Sequence, residues 1–178
     1  MANAESTSSQ GSPFWRFSLR FYRQAGVADA CIALQEQSRV DVNLLLFLLW
    51  QATQRRAFAQ ADVAALESRI GPWRECTVVP LRNVRRALKA PPALVAGGTA
   101  EVFRTRIKAV ELEAERLQQE AMYEQSQARA LPAGQEVASA EAAARASIAA
   151  YGSTLGVTFP AAAVETLLSA FLNTDTRG

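Results

Sequence analysis

Seven consecutive apolar residues, Leu44 to Trp50, constrain this chain more than any other stretch. The run is apolar on every side of a helical wheel, so a helix made from it must be enclosed by protein. A buried parallel strand is the alternative for seven such residues. The run is leucine-rich rather than β-branched and lies within helical pattern, which favours helix. Asp41, just ahead, is placed to cap it. A chain of 178 residues can bury such an element in one domain without disulfides or metals.

The remaining periodicity predicts an all-α fold. About five helices form a compact bundle over residues 13–92. A linker at 93–99 follows, then a long helix and two more helices over 100–173 that pack on the core. Residues 1–12 are small and polar and are expected to be disordered, and 174–178 form a tail. Ser12-Pro13 opens the first helix as cap and first residue. Phe14, Phe17 and Phe21 share its apolar side, and Gly26 ends it. Val27, Ala30, Cys31 and Leu34 face inward on the second helix, and Val63, Leu66 and Ile70 on the fourth. Gly71 is expected to close the fourth helix and Pro72 to open the fifth, which Pro80 should kink near Cys76-Thr77. On the long helix Phe103, Ile107, Val110, Ala114 and Leu117 alternate four- and three-residue steps. They form a weak heptad seam and a candidate homodimer contact.

Composition excludes several chemistries. The chain has no histidine. That removes the commonest general base and metal ligand, and every Ser-His or Cys-His nucleophile. No glycine-rich phosphate loop is present. Cys31 and Cys76 fall at apolar helical positions and read as reduced core residues. No apolar run approaches the roughly 20 residues of a spanning helix, so a cytoplasmic location is expected. No cofactor or metal is implied. Charge is divided unevenly. Residues 14–108 carry 15 Lys+Arg against 7 Asp+Glu, and residues 109–178 carry 4 against 9.

Two cationic stripes are the best candidate for a partner or anion site. Arg16, Arg20 and Arg23 share one face of the first helix. Arg82, Arg86 and Lys89, with Arg85 beside them, share a face of the fifth. Guanidinium forks suit phosphate and carboxylate. The competing reading is two solvated faces balanced by the acidic second half. Aromatics opposite arginines on the first helix also match an interfacial membrane helix, although the pattern equally serves a helix docked on its own core. Asp41 and Asn43 are candidate pocket residues at the mouth of the apolar helix, or simply its cap and turn. Trp15, Trp50 and Trp73 are candidate cavity walls, or core. Glu111/Glu115 and Glu120/Glu124 are carboxylate pairs at i, i+4 and read as a solvated helix face.

A block pattern adds to this. It runs through Phe14, Trp15, Arg16, Phe17, Ser18 and Leu19, then Ala30-Cys31 and Leu34-Gln35. It continues with Asp41, Val42, Asn43 and the leucines to Phe47, then Leu49-Trp50. Last come Trp73-Arg74, Val79 to Arg82, Val84 to Arg86, and Leu88-Lys89. Over roughly residues 14–90 the chain thereby resembles a family of bacterial proteins of about this length, known only as a domain of unknown function. The resemblance implies a helical fold and lends no activity. The leading expectation is a non-catalytic binding or adaptor protein whose basic helical face meets an acidic protein or a ribonucleoprotein. The alternatives are a binder of RNA phosphate or anionic membrane surfaces, and a histidine-free enzyme with a carboxylate base in an apolar pocket.

Overall fold

The computed structural model describes residues 11–175. The expectations for residues 1–10 and 176–178 lie outside them. The fold is all-α, and the start signals of the first three helices have physical counterparts. Helix α1 is Pro13–Tyr22, with the Ser12 hydroxyl accepting from the Trp15 N–H. Helix α2, Val27–Ser38, follows Gly26, whose φ of 78° lets the chain turn. Helix α3, Val42–Ala52, holds the apolar run, and the Asp41 carboxylate accepts from the N–H groups of Asn43 and Leu44. Every residue from Asn43 to Ala52 is buried.

The fourth and fifth helices differ from expectation. Helix α4, Gln60–Trp73, runs through Gly71 and Pro72 without stopping. A π turn, Arg74–Val78, joins it directly to α5, Val79–Ala87. The Val79 N–H donates to the Arg74 carbonyl, five residues back. That wider turn makes room for the Pro80 ring, which clashes with a carbonyl four residues back in ordinary helical register. The irregularity thus spans Cys76-Thr77, but it lies within one continuous helical rod. Cys76 is exposed, contrary to the core reading, while Cys31 is buried. Burial pushes the Cys31 thiol up to about 12.

Helix α6, Gly97–Gln127, begins three residues earlier than the periodicity suggests. Helices α7, Ala140–Leu155, and α8, Ala161–Asp175, complete the chain. Two short antiparallel pieces, β1 Arg56–Ala57 and β2 Gln135–Glu136, pair Arg56 with Glu136 and Ala57 with Gln135. Gly134 is needed beside them: its φ is 65°, and a Cβ there would stand 2.8 Å from the Ala57 carbonyl oxygen.

Helix α3 is the hub. It packs against α1, α6 and α7. Phe14 and Phe47 meet edge to face at 5.4 Å, and Trp50 lies 5.4 Å from Phe14 and 5.8 Å from Phe47. Tyr151 and Phe171, from the last two helices, belong to the same buried cluster. Along α6 the seam residues Phe103, Val110 and Leu117 stay about half exposed. Ala114 is buried, and the Trp73 indole donates to its carbonyl at 3.1 Å.

Candidate functional site

The site is built on the cap of α3. Capping occupies Oδ1 of Asp41. Its Oδ2 accepts from Arg74 at 3.3 Å and from the Gln118 amide at 2.9 Å. The same Arg74 nitrogen reaches Glu67 at 2.8 Å. Tyr151 closes the circuit: its hydroxyl accepts from the Asp41 N–H at 2.9 Å and donates to Glu67 at 2.6 Å. Burial works against the Arg74 charge. The hydrogen bond to Glu67 and the charges of Asp41 and Glu67 outweigh it and raise the guanidinium pKa. The Tyr151 phenol is raised by burial first, then by the carboxylates of Glu67 and Asp41. Four elements are thereby locked together by groups too polar to be buried singly.

A relay of three amides leads out of this knot. Gln118 donates to Asp41, so its carbonyl oxygen is left to accept from Asn43, at 3.1 Å. The Asn43 oxygen then accepts from Gln119 at 2.8 Å. The Asp41 carboxylate, ion-paired with Arg74, offers only acceptors, which fixes the direction of each amide in turn. The relay ends at Gln119 Oε1, which is buried and has no partner among the described residues.

Gln119 lies on the wall of a cleft of about 1230 Å³ between α1, α2, the start of α3, the α4–α5 rod and α6. Asp41, Asn43 and Trp15 also line it, whereas Trp50 is core and Trp73 faces elsewhere. A second buried, unpartnered polar atom, Ser18 Oγ, belongs to the same lining.

The cationic stripes have different fates. Arg82 bonds Glu111 at 3.1 Å and Glu115 at 2.9 Å. Arg85 clasps Glu111 with two nitrogens, and Arg86 reaches Glu36 of α2 at 2.9 Å. Glu111, expected on a solvated face, is only 5% exposed. Burial raises its pKa, but the hydrogen bonds from Arg85 and Arg82 prevail and hold it below the usual carboxylate range. Burial wins at Glu115, whose pKa is raised despite Arg82. On α1, Arg16, Arg20 and Arg23 are all exposed. Arg16 donates to the Gly11 carbonyl at 2.8 Å, and no carboxylate among the described residues pairs with any of the three. Arg23, Arg82 and Arg86 all line the cleft, while Lys89 is exposed and not part of its lining.

Glu67, Gln118, Gln119 and Tyr151 are the functional candidates that sequence reasoning missed. Polar groups at helix positions give no sign in the sequence that they will be buried, and a tyrosine on an apolar helix face gives none that its hydroxyl will join a polar cluster. Arg74 carried a signal only as part of the Trp73-Arg74 block. Among the described residues no group of three or more His, Cys, Asp or Glu could hold a metal ion. No helix among them is long and apolar enough to cross a membrane.

The molecule is thus an all-α bundle with an ion-paired knot beside an open cleft. The chain belongs to the family described as protein of unknown function DUF2390, which it matches over residues 13–122. No curated protein and no solved structure matches it.

Proposed function

We propose that this is a non-catalytic binding or adaptor protein that meets an acidic protein surface through the cationic face of α1. The observation that carries this is the contrast between the stripes. Arg82, Arg85 and Arg86 are all ion-paired within the fold, while Arg16, Arg20 and Arg23 face solvent with no carboxylate partner among the described residues. Unpaired arginines spaced along one helix face supply complementary charge for a partner and speed its encounter. Titrating the protein with polyglutamate, poly(U) RNA and phosphatidylserine vesicles separates the possible partners. Polyglutamate should bind most tightly and weaken with salt, and Arg16→Gln/Arg20→Gln/Arg23→Gln should abolish it. Tighter binding to RNA or vesicles would transfer the role to a phosphate partner.

A second reading rests on Glu115. A carboxyl in a cleft with its pKa raised by burial suits general acid–base work. Its bond to Arg82 serves the packing of α5 on α6 as well, which favours the binding reading. A homodimer through α6 would use Phe103, Val110 and Leu117, one heptad apart and about half exposed. Sedimentation equilibrium of Val110→Glu against the parent chain tests it.

A further inference from the structure

We infer that the cleft between α1 and α6 is the seat of an acidic peptide segment whose backbone N–H groups bond Gln119 Oε1 and Ser18 Oγ. This rests on the acidic-partner reading and adds the site and the contacts.

Gln119 and Ser18 are each 3% exposed, and both line the cleft. Neither Gln119 Oε1 nor Ser18 Oγ has a hydrogen-bond partner among the described residues. Native proteins leave few buried polar atoms unpaired, and each costs desolvation free energy. Here two stand on one cleft, contributed by two helices. The orientation of Gln119 is not arbitrary, because the relay from the Asp41 carboxylate assigns its nitrogen to Asn43. What remains is an acceptor that calls for an N–H or O–H donor.

The rest of the lining narrows the class. Trp15, Leu19 and Leu46 provide an apolar wall. The five carboxylates of the lining are all ion-paired with Arg74, Arg82 or Arg86, which leaves Arg23 and Arg39 exposed at the same cleft with no carboxylate partner among the described residues. At about 1230 Å³ the space exceeds the roughly 300–1,000 Å³ of small-molecule pockets. An extended peptide meets every demand together. Its N–H groups serve the buried acceptors, an apolar side chain covers the wall, and Asp or Glu side chains reach the arginines.

The test is selection of a displayed library of random twelve-residue peptides on the full chain. The strongest binder is then resynthesised with its native backbone and with N-methylated amides, and both are measured by fluorescence anisotropy. Selected sequences should place Asp or Glu beside an apolar residue. Ser18→Ala and Gln119→Leu should each weaken the native peptide about tenfold, the loss of one good hydrogen bond. N-methylation should weaken it similarly. The Tm of free Ser18→Ala should hold or rise, because an unpaired buried hydroxyl is removed. Gln119→Leu also frees the Asn43 oxygen, so Ser18→Ala decides between binding and packing roles. An acidic binder that ignores both substitutions and N-methylation overturns the seat and leaves the acidic-partner reading standing. Binders without acidic residues, unaffected by Arg16→Gln/Arg20→Gln, overturn the acidic-partner reading and the seat with it. An empty selection, or a Ser18→Ala chain with lowered Tm and unchanged affinity, overturns the seat.

Discussion

At the scale of the residue, Asp41 shows how much one side chain can carry. One oxygen caps the start of α3, and the other anchors Arg74 and the amide relay. The cap was legible in the sequence because Asp41 directly precedes an apolar helix. Its other partners were not, because Arg74 and Gln118 on the second oxygen and Tyr151 on the backbone N–H lie 33, 77 and 110 residues away. Tyr151 tests the knot. Tyr151→Phe leaves the Asp41 N–H buried and unpaired, and denaturant unfolding should show a loss of about 1–3 kcal/mol. The alkaline limb is informative too. The native phenol pKa is raised above the ordinary value of about 10, so its stabilisation is complete below that pH. It is lost as pH climbs beyond, when the unfolded chain ionises first. Tyr151→Phe should flatten that limb, and the slope that remains belongs to Cys31 and Tyr22, both raised mainly by burial.

Among the elements, α3 was the most legible, since an all-apolar run leaves a helix no exposed side. Leu48→Ala should cost about 2–5 kcal/mol in equilibrium unfolding, because Leu48 is fully buried. A loss under about 1 kcal/mol would place α3 at the edge. The α4–α5 rod was read less well. Gly71 and Pro72 are ordinary stop signals, yet the helix continues because the rod's packing on α6 and α7 outweighs local propensity. Pro80 marked the place of an irregularity but not its kind, since kink and π turn both relieve the same clash. Glu111 was misread because helical spacing gives no sign that α5 will lie along that face of α6.

Across the whole molecule, the all-α class follows from periodicity alone, whereas the division of charge depends on packing. Two stripes with the same spacing end differently. On α5, Arg82 and Arg85 turn onto Glu111 and Glu115 and fasten α5 to α6. On α1, the opposite face holds Phe14, Phe17 and Phe21 against the core, so Arg16, Arg20 and Arg23 are left to solvent. The claim that one stripe is structural and the other is open is tested most directly by the unfolding free energies of two triple variants. Arg82→Gln/Arg85→Gln/Arg86→Gln should lower stability by about 2–4 kcal/mol, allowing for partial exposure of the pairs. Arg16→Gln/Arg20→Gln/Arg23→Gln should change it by less than about 1 kcal/mol in total, as surface substitutions do. Equal losses in the two variants, or a neutral α5 triple, would contradict the account.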